Sequence, residues 1–269
     1  MFSLFDLIQR YIHVLLFLSL ELVAFYLVVN YNHTQKEIFL YSSSLVSGYF
    51  LERSSRFQDF VTLEKENKEL LTENARLLRE IINTTAKTPL KESIGESMKP
   101  FEVIPANVIN QTIHSNRNHF TINRGSSHDV EKSMGIMTSN GVVGIVKQVS
   151  ENFATVISLL NVDARISATI KDKGYFGTLR WNGDDYHHLQ LTGVPKHAEV
   201  QVGDVVVTNG YSTIFPRDIP IGTVGNFNLS RDGISYDIEV DIVNDLTQLD
   251  YVFVIKNNFA SERLSLENE

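Results

Sequence analysis

Histidine, serine and the acids are the residues here that could do chemistry. The chain has 269 residues, eight histidines and no cysteine. Without cysteine there is no thiol nucleophile, thiolate metal site or disulfide. His114, His119, His128, His187, His188 and His197 could act as general bases for a serine. A serine hydrolase also needs a hydroxyl held against that base and oxyanion donors beside it. No Gly-Asp-Ser-Gly occurs: Gly203-Asp204 runs into Val205, and Gly210 follows Asn209. A triad is assembled in space, so a membrane-anchored chymotrypsin-like protease stays as a remote alternative. For metal binding the candidates are His187 and His188 beside Asp184 and Asp185. Neighbouring side chains on a strand point to opposite faces, so this cluster reads as a solvated hairpin end. The glycines precede strands rather than helices, which removes the phosphate-cradling contexts. The expectation is no catalytic residue, no metal and no cofactor, and a net charge of -8 argues against a nucleic-acid partner.

What remains is positioning. The stretch GDVVVTNGYSTIFPRDIPIGTV, residues 203–224, is dense in turn residues and holds no reactive set. Gly203-Asp204 starts a strand, Val205 to Val207 are core-strand material, and Asn209-Gly210 closes it. Phe215-Pro216 and Pro220 fix an extended connection before Gly222 opens the next strand. Around it, from residue 101 to 257, short β-branched runs recur at near-regular spacing. They cover 102–109, 118–123, 134–139, 142–149, 153–160, 165–171, 175–181, 186–191, 204–208, 221–229, 235–243 and 250–256. Tyr236, Ile238, Val240 and Ile242 alternate with Asp237, Glu239 and Asp241, the period of a half-buried strand. Asn140-Gly141, Asn182-Gly183, Asn209-Gly210 and Asp232-Gly233 are expected to supply positive φ at hairpin turns. Short strands joined in this way predict a mainly β body of two small barrels.

The N-terminal third differs. Residues 1–10 form a stub, and residues 11–29 an apolar run long enough for a transmembrane helix. Glu21 interrupts it at a cost of about 3 kcal/mol, against thirteen Leu, Ile, Val and Phe residues that each return about 0.3–0.6. Glu21 is therefore either a tolerated acid or a contact with a partner membrane helix. Residues 30–82 read as a helical stalk, with Phe60, Asn67, Asn74 and Ile81 at heptad position a and Leu63, Leu70 and Leu77 at d. Leucine at d with asparagine at a favours a parallel two-stranded coiled coil. Asp59, Glu66, Glu73 and Glu80 fall at g, and Glu64, Leu71 and Leu78 at e. Asp59 would repel Glu64 of a parallel partner, and the two leucines widen the stripe beyond a two-stranded seam. That leaves open a single amphipathic helix packed on another protein or on its own domain. Residues 83–100 read as a linker and residues 258–269 as a disordered tail.

The order of anchor, leucine-rich coiled coil and two β-barrels resembles the MreC family of bacterial rod shape-determining proteins. Gly203, Asp204, Thr208, Gly210, Phe215, Pro216, Pro220 and Gly222 match its signature of paired strands around a Phe-Pro turn. Asn123-Arg124-Gly125, Met134-Gly135-Ile136-Met137 and Gly141-Val142-Val143-Gly144-Ile145-Val146 are similar to a second block. Asn209 departs from the usual serine, and Asp218 stands where glycine is common; Asp tolerates left-handed backbone. The resemblance implies barrels arranged as in chymotrypsin without its catalytic residues, in a non-enzymatic scaffold of cell elongation. It implies a single-pass inner-membrane protein with most of the chain in the periplasm. The partners it implies are a second copy as dimer or filament, the elongation penicillin-binding protein, RodA, MreD and actin-like MreB. An efflux or secretion adaptor is the alternative, but such adaptors carry β sequence on both sides of their coiled coil. Here the recognisable β sequence follows residue 100.

Overall fold

The computed structural model describes residues 4–31, 64–85 and 100–267, with side chains at 11–27, 64–85 and 100–266. Phe60 and Leu63 lie outside the described residues, as do 32–63 of the expected stalk and 86–99 of the expected linker.

The β body closes into two six-stranded barrels. The first is built from β1 (Phe101–Gln111), β2 (Arg117–Ile122), β3 (Gly135–Met137), β4 (Val142–Val149) and β5 (Ala154–Asn161). The second holds β6 (Ile166–Ile170), β7 (Phe176–Arg180), β8 (His188–Pro195), β9 (Val205–Thr208), β10 (Pro220–Leu229) and β11 (Ser235–Ile242). The chain then returns as β12 (Tyr251–Asn257) to complete the first barrel, in the order β1-β12-β3-β4-β5-β2. The second barrel runs β10-β11-β8-β7-β6-β9. Closure leaves neither sheet an open edge. The expected alternation on β11 is realised, with Ile238 and Val240 buried and Asp237, Glu239 and Asp241 exposed.

Because β12 belongs to the first barrel, the second is inserted between β5 and β12 and the chain crosses between them twice. The return crossing is anchored in the first barrel. Asn244, which is buried, donates from Nδ2 to the Val142 carbonyl (3.2 Å) and accepts the Thr138 hydroxyl (2.7 Å). Leu246 is fully buried beside it in sequence.

Three of the four expected turn glycines have positive φ: Gly183 (96°), Gly210 (72°) and Gly233 (66°). Gly141 does not. Its lack of a side chain serves a close approach instead, since a Cβ there would lie 2.3 Å from the Pro220 carbonyl oxygen.

Two long helices precede the barrels. α1 (Leu4–Tyr31) has 28 residues and is about 42 Å long. Large apolar side chains are exposed along its described part, residues 11–27. No helix among the described residues is long and apolar enough to cross a membrane, and the described side chains of α1 are confined to those positions.

α2 covers residues 64–85. Ala75 and Ile82 are buried in the same apolar cluster as Phe101 and the barrel cores, with Leu71 and Leu78 packed against it. Leu70 (63% exposed), Leu77 (42%) and Ile81 (61%) stay in solvent. The wide apolar stripe is thus two adjoining surfaces. Heptad positions e and b pack on the chain's own domain, and positions a and d do not.

The C-terminal tail, expected to be disordered, contains a short helix, α3 (Ala260–Glu267). Asn257 Nδ2 donates to the Thr213 carbonyl (3.0 Å), and the Arg263 guanidinium donates to the Tyr211 carbonyl (2.5 Å). Contacts far away in sequence hold a segment whose own composition is polar.

Candidate functional site

The signature of residues 203–224 folds around Thr208, whose side chain is buried. Its Oγ1 donates to the Pro216 carbonyl (2.6 Å) and accepts the Ile219 N–H (3.0 Å). Its backbone N–H donates to Ile219 O (2.9 Å), and its carbonyl accepts the Asp218 N–H (3.0 Å). One residue thereby satisfies both limbs of the loop between β9 and β10. Asp218 has φ 67°, the left-handed conformation that Asp accepts at modest cost. Asn209 accepts the Tyr211 N–H (2.9 Å) through Oδ1 and donates from Nδ2 to the Ser167 hydroxyl, so the loop is also tied to β6.

Asp204 secures the entrance to β9. Its Oδ2 accepts the Gln201 N–H (2.8 Å) and Lys173 Nζ (2.7 Å), and Lys173 also donates to the Glu199 carbonyl (2.7 Å). Gly203 before it has φ 91°. At Gly222 a Cβ would lie 2.0 Å from the Asp241 carbonyl oxygen, so β10 and β11 can close only over a glycine there.

The loop held in this way projects Phe215 onto the first barrel. Phe215 is 3% exposed, and a Cβ on Gly135 of β3 would stand 2.4 Å from its ring. Gly141, at the β3–β4 turn, meets Pro220 at the start of β10. The two signature blocks, far apart in sequence, therefore meet face to face. Glycine on one barrel makes room for phenylalanine and proline from the other. Within the described residues this clamp is where the singled-out signature residues converge.

Titratable chemistry collects elsewhere. On β8, His188 Nδ1 lies 2.6 Å from Asp185 Oδ2, and Nε2 lies 3.2 Å from Asp241 Oδ1 on β11. The hydrogen bond to Asp185, with the Asp241 and Glu239 charges nearby, raises the His188 pKa above its ordinary value. Asp185 is held below the usual carboxylate range by the His187 N–H first and the His188 ring second. With an acid at each ring nitrogen, His188 has no nitrogen left to act as base for a hydroxyl. His187 points its backbone carbonyl to Ile242 N–H (2.9 Å), a sheet contact. His128 Nδ1 meets the adjacent Ser127 hydroxyl (2.9 Å), and His119 Nδ1 the Thr112 hydroxyl (3.3 Å). Among the described residues no group of three or more His, Asp or Glu could hold a metal ion.

Of the predicted stalk residues, Leu70, Asn74, Leu77 and Ile81 share the solvent-facing side of α2, and Asn67 is also exposed. Two of the acids at g, Glu73 and Glu80, are paired within the helix. Arg76 bonds Glu73 through Nε (2.8 Å) and Nη2 (2.7 Å), and Glu80 through Nη1 (2.6 Å). This raises the Arg76 pKa and lowers that of Glu73. Arg76 was not singled out in the sequence, though its spacing of three and four from those acids is the signal for such a pair. Glu21 lies on α1 between exposed Leu20 and Leu22.

Comparison with known proteins gives one family. The pattern described as "Rod shape-determining protein MreC, barrel core" matches residues 108–256. A cell shape-determining protein MreC of Listeria monocytogenes is 30% identical over 197 residues, 71% of this chain and 67% of that one. The Bacillus subtilis protein of the same name is 27% identical, over 63% of this chain and 62% of its own length. That from Escherichia coli is 25% identical, over 78% and 58%. The alignments thus span roughly three-fifths to two-thirds of these relatives. Among solved structures, MreC of L. monocytogenes superimposes with a TM-score of 0.56 at 28% identity, covering 77% of this chain and 94% of that one. The MreC crystal structure from Pseudomonas aeruginosa shares the fold at 0.53 and 20% identity, over 57% and 98%.

Proposed function

The chain belongs to the MreC family of rod shape-determining proteins, and from that membership we propose that it is a membrane-anchored scaffold, not an enzyme, for the cell-elongation machinery. Its work is tethering. Confinement to a membrane and pairing of copies raise the effective concentration of weakly binding partners without chemistry. The partners that family membership suggests are the elongation penicillin-binding protein, RodA, MreD and MreB, with the barrels on the periplasmic side of the inner membrane.

The observation that supports a scaffold best is how the signature residues are used. Phe215 and Gly135 are buried and, with Gly141 and Pro220, fix one barrel against the other, while Thr208 and Gly222 hold the loop and strands of the second barrel in place. None of these contacts prepares a nucleophile or an oxyanion site. The anchor in this reading is the run of residues 11–29, on the strength of its sequence, which is apolar apart from a few polar side chains and of the length a bilayer core of about 30 Å requires. Glu21 is the contact to a partner membrane helix. The stalk pairs two copies through Leu70, Asn74, Leu77 and Ile81, with Phe60, Leu63 and Asn67 continuing that seam.

Co-purification of the full chain from detergent tests this reading. Mass spectrometry should recover a penicillin-binding protein with the chain, and Glu21→Leu should lose MreD alone. Recovery of an efflux or secretion complex instead would overturn the scaffold assignment.

A further inference from the structure

The joint between α2 and the first barrel is built around one side-chain amide. Asn83 Oδ1 accepts the N–H of Phe101 (3.0 Å), and Asn83 Nδ2 donates to the carbonyl of the same residue (2.9 Å). The second Nδ2 hydrogen goes to the Arg79 carbonyl on the helix itself (2.7 Å). Both donors and the acceptor of the amide are therefore used. Phe101 is the first residue of β1, and pairs in turn with Asn257 of β12. Asn83 thus presents to the end of β1 the donor and acceptor that a neighbouring strand would present. Seventeen residues intervene between Asn83 and Phe101, yet the two ends of that segment are in hydrogen-bond contact. On the same helix Ile82, next to Asn83, and Ala75, about two turns earlier, enter the apolar cluster that includes Phe101.

We propose that Asn83 is a fixed joint that locks α2 to the barrels, so that helix and barrels move as one rigid body. A free linker between helix and barrel would let the two reorient by diffusion. A pinned one transmits the direction of the helix to the barrel surface. Asn83 is a positioning residue in this account: it acts on no partner itself, and sets where the barrels stand relative to the helix seam. The inference does not depend on that seam binding a second copy.

The absence of cysteine makes a distance measurement simple. Spin labels at Thr72→Cys on α2 and Lys147→Cys on β4 would be placed in the full-length chain, diluted with unlabelled protein so that distances within one copy dominate. Electron–electron resonance should give a single narrow distribution. Asn83→Ala should broaden it at least twofold with barrel melting unchanged. Asn83→Asp, which keeps the acceptor for Phe101 N–H and loses both donors, should fall between. A broad distribution before any substitution at Asn83 would overturn the proposal, whether or not Asn83→Ala folds. So would a distribution that Asn83→Ala leaves as narrow as before.

Discussion

His188 shows how a residue with the right chemistry for catalysis is spent on structure. Asp185 and Asp241 take both ring nitrogens, and Asp241 stands on β11 directly opposite in the register. Since the folded pKa is raised, the folded protein binds the proton more tightly than the unfolded chain. The stabilisation is then complete below the ordinary histidine value of about 6.5 and is lost as pH rises through the folded pKa. The ring is partly exposed, so the effect on stability is small. Nuclear magnetic resonance titration of the His188 ring should show a raised midpoint that moves down in Asp185→Asn; an unchanged midpoint would remove Asp185 as the cause. Phe215 is the larger contributor. Truncating a buried phenylalanine costs roughly 3–5 kcal/mol. Phe215→Ala should lower denaturant stability by about that amount while preserving the β signal, and a loss below about 1 kcal/mol would mean the clamp holds nothing. The sequence flagged Phe215 and Gly135 in separate motifs, but their contact depends on how two barrels dock and has no local signature. The left-handed turn at Asp218, by contrast, is local and was legible as turn chemistry.

Among elements, the strands were the most legible. Each expected run corresponds to one observed strand, with ends shifted by a few residues, because alternation and Asn-Gly or Asp-Gly turns are encoded locally. The stalk was half legible. A heptad frame finds apolar positions, but only tertiary packing decides which stripe faces the chain's own domain. Ala75 and Ile82 are small or ordinary residues at positions the frame counts as outer, and they are buried. Leu71 and Leu78, awkward in a two-stranded seam, are explained by that same burial. Arg76 pairs Glu73 and Glu80 of the g positions within the helix, while Asp59 lies outside the described residues. A two-stranded seam of this kind should be specified by its asparagines. Asn67→Ile combined with Asn74→Ile should therefore strengthen self-association and broaden it to several oligomeric states on sedimentation. A tighter dimer alone would show that those asparagines do not set the partner number. The tail differs from the expectation because α3 is tied by Asn257 and Arg263 to the distant Thr213 and Tyr211 carbonyls, which composition cannot reveal.

On the scale of the whole molecule, the chain is organised to keep surfaces in fixed relation. Insertion of one barrel into the other, two chain crossings and the Phe215 clamp make a rigid pair from two small cores. The fold class and the family were legible because turn glycines and prolines must sit at defined places for the barrels to close and dock. Which barrel face meets which partner was not, since solvent-facing strand residues look alike whether or not they bind. A scaffold acts by connection, so severing the connection should abolish function while every domain stays folded. The direct test places a specific protease site between residues 31 and 64 of the full chain, in a rod-shaped bacterium depleted of its own MreC. Before cleavage the chain should restore rods. After cleavage inside the cell the cells should round up, although the released stalk and barrels remain intact and folded. Rods that persist after complete cleavage would contradict the account, because the barrels would then act without the membrane tether.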